Sequence, residues 1–383
     1  MKVGIVAAAQ SPFREYPEWR PQELTYLVVE EVLKKTGLPF REGYDDIVTC
    51  SSDHWDGKTL SDIEHGEVAG AHLGPGEEKV GMDGANAVLL GYIKVLSGHA
   101  DVVLVTAACK ERDVLDPCVI ENFGFDVTYQ QLIGLDFTQA AALQAMSYMH
   151  KYGLKREDFA EVVVQMRRNA RANPHLFSQQ EVSLHEVLRS EMLSYPIGAL
   201  DKRPVCDGAC ALILAKEERA KELTDQPVWI KGIGSCYDAH NLGDRDLAEP
   251  EALFRAARDA YRMAGIKDPQ KEINLFEISE HYSYQLLLWV EGLGLCERGE
   301  SANLFNSGKI GKEGGMPVNP SGGLLGGVPR YVAGANRVIE AFGQLQEKAK
   351  ERTGIKAPRV ALAHGTYGPA GQHHCVIILE RGF

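Results

Sequence analysis

Three side chains that can transfer protons stand beside small or turn-forming residues in this chain. His281 lies in SEHYSY with Glu280 directly before it, Tyr331 follows NPSGGLLGG, and His364 opens HGTYG. Histidine changes charge near neutral pH, and carboxyl and phenol groups transfer protons when their surroundings shift their pKa values. These residues predict general acid–base chemistry. Each also has a purely structural alternative: a hydrogen-bonded buried histidine, or a tyrosine packed at a helix start.

Asp83 directly precedes the apolar run GANAVLL, and two interpretations of it remain open. As the N-cap of a helix, its carboxylate would accept hydrogen bonds from the first free backbone N–H groups. As a catalytic base, the same carboxylate would point into a pocket.

Metal and nucleotide chemistry have little support in the sequence. His373, His374 and Cys375 are consecutive, and successive side chains of a strand point to opposite faces. The eight cysteines are scattered without the spacing of a zinc knuckle, so we expect reduced and mostly buried thiols. No Gly-x-x-x-x-Gly-Lys-Ser/Thr motif occurs. We therefore predict no metal site in this chain.

The charge balance argues against nucleic acid as a partner. The 383 residues include 41 basic and 53 acidic side chains, for a formal net charge of −12, and the basic residues form no long run. A nucleic-acid-binding protein would carry a basic stripe. The apolar run near the N-terminus is too short to span a membrane and is typical of a buried first strand. We expect a cytoplasmic protein without a membrane segment.

Short apolar segments alternate with longer segments of helical periodicity, which predicts an α/β fold with a buried sheet. Residues 110–203 differ, because they show helical patterns and few strand signals. We predict an N-terminal half, residues 1–225, that includes this helical insertion. The C-terminal half, residues 226–383, repeats the order of elements.

Four segments together resemble the thiolase superfamily. They are RPVCDGACALILA, FEISEHYSYQLL, MPVNPSGGLLGGVPRYVAGANRVIEA and LAHGTYGPAGQHHCVIIL, and they occur in the family's order over nearly the whole chain. The nearest groups are sterol-carrier-protein-type thiolases and thiolase-like aldolases. The resemblance implies a layered αβαβα fold made of two similar halves.

The chain departs from the thiolase pattern where thiolases keep their reactive groups. Gly81 stands at the position of the nucleophilic cysteine that opens the buried helix. Val328 stands at the histidine of Gly-His-Pro, and Ser279 at the asparagine of Asn-Glu-Ala-Phe. Acyl transfer through an enzyme thioester needs that nucleophile, and valine can neither donate nor accept a proton.

The resemblance nevertheless implies a site for the enolate of a thioester. The N–H of Gly81 at a helix start, with an N–H from the C-terminal glycines, could stabilise the enolate oxygen. The glycine-rich loop would line the acyl-CoA pocket. The predicted catalytic residues are His281, His364, Tyr331, Asp83 and Glu280. The predicted oxyanion and CoA contacts are Gly81, Ser321, Gly322, Gly323, Gly365 and Gly368.

Three functions remain open on the sequence alone. The first is non-covalent aldol or retro-aldol cleavage of a β-hydroxyacyl-CoA. The second is thiolase-type acyl transfer with an atypical nucleophile, such as Cys109, or one supplied by a partner. The third is a non-catalytic scaffold. The resemblance also implies a CoA thioester as substrate, no covalently bound cofactor, at least a homodimer, and a small zinc-ribbon and oligonucleotide-fold partner subunit.

Overall fold

The computed structural model describes residues 2–312 and 314–383 as eleven strands and fifteen α-helices. The strands are β1 (Val3–Gln10), β2 (Asp46–Cys50), β3 (Gly76–Val80), β4 (Val102–Lys110), β5 (Met192–Ser194), β6 (Ile197–Gly198), β7 (Asp207–Lys216), β8 (Val228–Tyr237), β9 (Leu275–Glu277), β10 (Val360–Tyr367) and β11 (His373–Arg381). The helices are α1 (Pro21–Thr36), α2 (Asp53–Asp56), α3 (Asp62–Ala69), α4 (Gly84–Leu96), α5 (Pro117–Asn122), α6 (Phe137–Tyr152), α7 (Arg156–Ala170), α8 (Leu184–Arg189), α9 (Glu217–Leu223), α10 (Glu251–Ala264), α11 (Pro269–Glu272), α12 (Ser283–Gly292), α13 (Ser301–Asn306), α14 (Ala333–Leu345) and α15 (Lys350–Thr353).

The two halves of the chain repeat one strand arrangement. In the first half the order is β1-β7-β4-β2, with β3 added at the edge, and in the second it is β8-β11-β10-β9. Both series run antiparallel, antiparallel and then parallel from the first strand outward. A short antiparallel contact between β1 and β8 joins them into one nine-stranded sheet. The prediction of two similar halves is confirmed.

Helices form three layers around these strands. Helices α1 and α9 cover the outer face of the first half, and α10 covers that of the second, with α12 beyond it. Between the halves lie α4 and α14, which contact each other as well as strands of both halves. This order gives the predicted αβαβα layers, and it brings the N-terminal ends of α4 and α14 together in the interior.

The predicted helical insertion lies between β4 and β7. It contains α5 to α8 and the small antiparallel pair β5–β6. The predicted boundary between residues 225 and 226 falls between α9 and β8, and the division into two domains stays a prediction. Among the described residues, no helix combines the length and apolar character needed to cross a membrane.

Candidate active site

A small cavity of about 40 Å³ lies at the carboxyl end of β10, where the insertion meets the second half. The turn from β10 to β11 forms one wall, and the start of α12 forms another. Three basic side chains, one histidine and aromatic rings face it. The lining includes Lys202, Arg203, His281, Arg330, Tyr367 and Gly368.

His281 lines the cavity, and one of its ring nitrogens is engaged by an arginine. Its Nδ1 accepts a hydrogen bond from Nε of Arg203 at 3.0 Å, so in the neutral ring the proton is on Nε2. Burial, followed by the charges of Arg203 and Arg330, holds the pKa of His281 well below its usual range. The imidazole is therefore neutral and fixed, and neither nitrogen offers a free lone pair to a substrate.

Arg203 is the residue that fixes this corner of the cavity. Its Nη2 donates to both carboxylate oxygens of Glu111 at 2.8 and 2.7 Å, and its Nη1 donates to the carbonyl of Val328 at 3.0 Å. The guanidinium fork thus ties the segment before β7 to the glycine-rich loop. Val328, at the position of the missing histidine, contributes only its carbonyl to this arrangement.

Two further cations make the cavity electropositive. Arg330 pairs with Glu121 and stacks over the Trp55 ring, with 4.3 Å to the ring centroid. Nζ of Lys202 donates to Thr138 Oγ1 at 3.2 Å, and no carboxylate of the described residues lies within 4 Å of it. Burial lowers the pKa of Lys202. Arg203 and Arg330 are paired with carboxylates, and Lys202 is thus the lining cation without a carboxylate counter-ion among the described residues.

Tyr331, predicted as a base, lies behind a second tyrosine rather than on the cavity surface. It is 1% exposed, and its ring centroid is 6.1 Å from that of Tyr367. Burial, with Tyr367 close by, raises its pKa well above the usual range. Tyr367 itself lines the cavity, and its hydroxyl has no hydrogen-bond partner among the described residues. The rings of Tyr331 and Tyr367 are neighbours, and Tyr367 is the one nearer the cavity.

Asp83 caps α4 and also joins it to α14. Its Oδ1 accepts from the Ala85 N–H and its Oδ2 from the Gly334 N–H, both at 2.9 Å. The carboxylate lies against two glycines: a Cβ at Gly334 would stand 1.8 Å from Oδ1, and one at Gly365 would stand 2.1 Å from it. Burial raises the pKa of Asp83 to about 7, although these N–H groups favour the ionised form.

This raised pKa predicts a pH-dependent stability that Asp83→Asn removes. An unfolded aspartate ionises near pH 3.9, whereas the folded one does so at about pH 7. The unfolded state therefore loses its proton first, and stability falls as the pH rises through this interval. Between pH 5 and pH 7 the free energy of unfolding of the unmodified protein should drop by about 2 kcal/mol relative to the Asn variant.

Urea unfolding of both proteins at several pH values measures this difference. A difference that does not change with pH would show that Asp83 is ionised throughout. Turnover measured on the same samples separates the two roles, because Asn remains a good cap. Unchanged turnover supports the cap, whereas a loss of about a hundredfold would support the base.

Glu280 and the glycine-rich loop form a buried network beside the cavity. Glu280 accepts from Asn319 Nδ2 at 2.8 Å and from the Leu325 N–H at 3.2 Å, and burial raises its pKa to about 8. Ser321 donates its hydroxyl to Glu277 at 2.6 Å. Gly322 and Gly323 have positive φ values of 111° and 64° and pack against Ala170 and Glu280. These residues shape the loop, and none of them lines the cavity.

His364 faces away from the central helices. Its Nε2 is 2.9 Å from Nδ1 of His374, and both rings pack against Trp289 of α12. Burial lowers the pKa of His364 to about 3, so the ring is neutral. Of the two histidines that the motifs predicted in one site, His281 lines the cavity and His364 does not.

Gly81, at the position of the thiolase cysteine, is exposed and also outside the cavity lining. A Cβ built on it meets no atom within 4 Å, so this position is open. Cys109, the alternative nucleophile, is 1% exposed at the end of β4, and burial raises its pKa well above the usual range. No cysteine lines the cavity.

The basic residues that dominate this site were not predicted from the sequence. Lys202 and Arg203 lie a few residues before the apolar strand β7, and Arg330 adjoins Tyr331. The sequence contained a signal for these residues. Charged side chains within motifs that are otherwise buried need a partner or a function. Of the predicted residues, the structure brings His281 and Gly368 to the cavity, and the remaining assignments stay predictions.

Comparison with known proteins agrees with this fold. Residues 234–381 match the family described as thiolase C-terminal domain-like. The chain is 34% identical over 295 residues to an acetyl-CoA acetyltransferase of Methanothermobacter thermautotrophicus, covering 76% of each protein. It is 32% identical over 320 residues to a steroid side-chain-cleaving aldolase of Thermomonospora curvata, covering 78% of each.

A solved Ltp2-ChsH2(DUF35) aldolase superposes with a TM-score of 0.84 over 99% of this chain and 97% of that one. At 24% identity, this likeness concerns the fold alone. The chain belongs to the thiolase superfamily. The resemblance that the sequence motifs predicted is therefore confirmed.

Proposed function

We propose that this protein catalyses retro-aldol cleavage of a β-hydroxyacyl-CoA without a covalent acyl-enzyme. One observation carries the proposal: the cavity at the carboxyl end of β10 is lined by basic and phenolic groups and by no cysteine. Burial also raises the pKa of fully buried thiols such as those of Cys50, Cys109 and Cys206. The relatedness to a side-chain-cleaving aldolase supports the same chemistry.

The reaction needs a base for the β-hydroxyl group, and we assign that role to Tyr367. Tyr367 lines the cavity together with the cations Lys202 and Arg330. Removal of the hydroxyl proton turns the C–O bond into a carbonyl and breaks the Cα–Cβ bond. The bonding electron pair passes into the thioester, which becomes an enolate. Return of the proton to Cα releases the shorter acyl-CoA.

The enolate oxygen needs a positive environment, which Lys202 supplies in this proposal. Its ammonium group has no carboxylate partner, and a cation placed where negative charge develops stabilises the transition state. The backbone of Gly368, in the same wall, is a candidate second donor. His281 serves as a positioning residue, because Arg203 occupies the lone pair of its Nδ1 and burial keeps the ring neutral.

The test uses a panel of β-hydroxyacyl-CoA thioesters with acyl groups of increasing size, from short chains to ring-bearing members. We expect a carbonyl compound and a shorter acyl-CoA in equal amounts, with no change in the intact mass of the chain. A stable acyl adduct on any cysteine, or products that need free CoA, would instead support the acyltransferase alternative. Absence of any turnover with every thioester and partner tested would support a scaffold.

The protein surface around the cavity supports a partner subunit. The insertion exposes several large apolar side chains close to the cavity wall, including Phe123 at 56% and Leu132 at 81%. The Ltp2-ChsH2(DUF35) aldolase is a two-component assembly by its name. We therefore propose at least a homodimer, and a small zinc-ribbon subunit over this surface. If the chain alone bound CoA thioesters with full affinity, the reason for that subunit would disappear.

A further inference from the structure

A second and larger opening, the β1 crevice, lies beside β1. Its volume is about 640 Å³, which is within the range of small-molecule sites. It is lined by residues 6–10 of β1, by Lys35 of α1, and by the segment around Lys348 and Arg352. It shares no lining residue with the active-site cavity.

The floor of the β1 crevice is an open strand edge. Strand β1 pairs with β8 only at Gly4 and Ile5. Further along, Ser11 donates its N–H to the carbonyl of Ala209 in the β7 direction at 3.0 Å. In an antiparallel pair, the backbone N–H and C=O groups of successive residues point alternately toward the partner strand and away from it. The backbone groups of Ala8 and Gln10 therefore point away from β7, toward the crevice. This edge presents N–H donors, while Nζ of Lys35 donates to the Ala8 carbonyl at 2.9 Å.

The side chains of the β1 crevice carry more positive than negative charge. Lys35 pairs with Glu31 at 2.7 Å, and Arg352 pairs with Glu340. Lys348 has no carboxylate within 4 Å among the described residues, and burial together with the charge of Lys35 lowers its pKa.

Two polar atoms at the crevice also lack partners. Nη1 of Arg352 and Nδ1 of His175 are buried and have no hydrogen-bond partner among the described residues. An unpartnered buried donor such as Nη1 of Arg352 costs free energy. A bound anion would supply a partner for this donor and a counter-ion for the exposed ammonium group of Lys348.

We propose that the β1 crevice binds a small molecule carrying a phosphate or carboxylate group, held by Lys348, Lys35 and Arg352 and by the free N–H groups of β1. Phosphate and carboxylate oxygens both match these donors. The site lies apart from the cleavage reaction and does not depend on it.

The test is calorimetric titration of the full chain, at constant ionic strength, with three probes: inorganic phosphate, malonate, and adenosine 3′,5′-bisphosphate. Lys348→Gln removes the unpaired cation, and Lys35→Gln is a second variant. Lys350→Gln is the matched control, because Lys350 is exposed on α15 and outside the crevice.

We expect saturable binding of at least one probe to the unmodified protein and the control. Binding to Lys348→Gln should be about tenfold weaker, the loss of one charge-assisted hydrogen bond. The probe that binds identifies the anion as phosphate, carboxylate or nucleotide. Absence of saturable binding with all three, or equal affinity in both lysine variants and the control, would overturn the proposal. Rates of β-hydroxyacyl-CoA cleavage are measured in parallel on the same proteins. The outcome of the binding experiment can then be judged separately from the outcome for the proposed function.

Discussion

Replacing Tyr367 by Phe should reduce carbon–carbon cleavage by about a hundredfold to ten-thousandfold. The substitution deletes one hydroxyl that has no protein partner, so folding should not change. What disappears is the group that takes the β-hydroxyl proton. Because binding contacts remain, the loss should appear in kcat much more than in KM.

Two variants make this result specific. Tyr26→Phe changes an exposed tyrosine, 48% accessible on α1, and should keep full activity. Tyr331→Phe removes the phenol behind Tyr367 and should have a smaller effect. The reverse order, with Tyr367→Phe active and Tyr331→Phe inactive, would transfer the base role to Tyr331. Thermal midpoints of all three variants exclude a folding defect.

Replacing Arg337 by Met should destabilise the fold by about 3–5 kcal/mol. Arg337 is fully buried on α14, and its Nη1 donates to Glu277 at 2.8 Å and to Ser321 at 3.2 Å. Its charge also favours the ionised forms of Glu280 and Glu340. When Arg337 is removed, these buried carboxyl groups lose the cation that they share. Removing one partner of a buried ion pair is strongly destabilising, because the remaining charge is buried without compensation.

Urea unfolding with a surface control measures this effect. Arg255→Met removes an ion pair with Glu251 whose side chains are more than half exposed, and should cost less than about 1 kcal/mol. The double variant Arg337→Met with Glu277→Gln should recover part of the loss, because it removes one uncompensated carboxylate. An Arg337→Met protein as stable as the Arg255→Met protein would contradict the prediction.

The elements with strong periodicity were predictable from the sequence. Helix α1 has apolar residues on one face and a left-handed Gly37 at its end, and both features are visible in the chain. Strand β3 is not predictable in this way, because GEEKV is charged and lies at the edge of the sheet, where one side stays exposed. Edge strands lack the apolar signal of buried ones, so their sequences resemble loops.

The site was only partly predictable for a different reason. His281 and Tyr331 lie in motifs that the sequence makes conspicuous, yet their surroundings depend on contacts from remote segments. Arg203 reaches His281 from 78 positions away, and Glu111 orients that arginine from 92 positions away. Which tyrosine faces a cavity is likewise decided by the packing of α14 against β10. Spacing along the chain carries no information about such contacts.

The contact of Asp83 with two glycines restricts the order in which this chain can evolve. A side chain at Gly334 or Gly365 would collide with the carboxylate, since each Cβ would stand within about 2 Å of Oδ1. Substitution of either glycine therefore requires a smaller residue at position 83, and the Cβ of Ala85, 2.7 and 2.6 Å from the two added Cβ positions, must move as well. Changes at these sites should depend on one another, with loss of the Asp83 carboxylate preceding a side chain at either glycine.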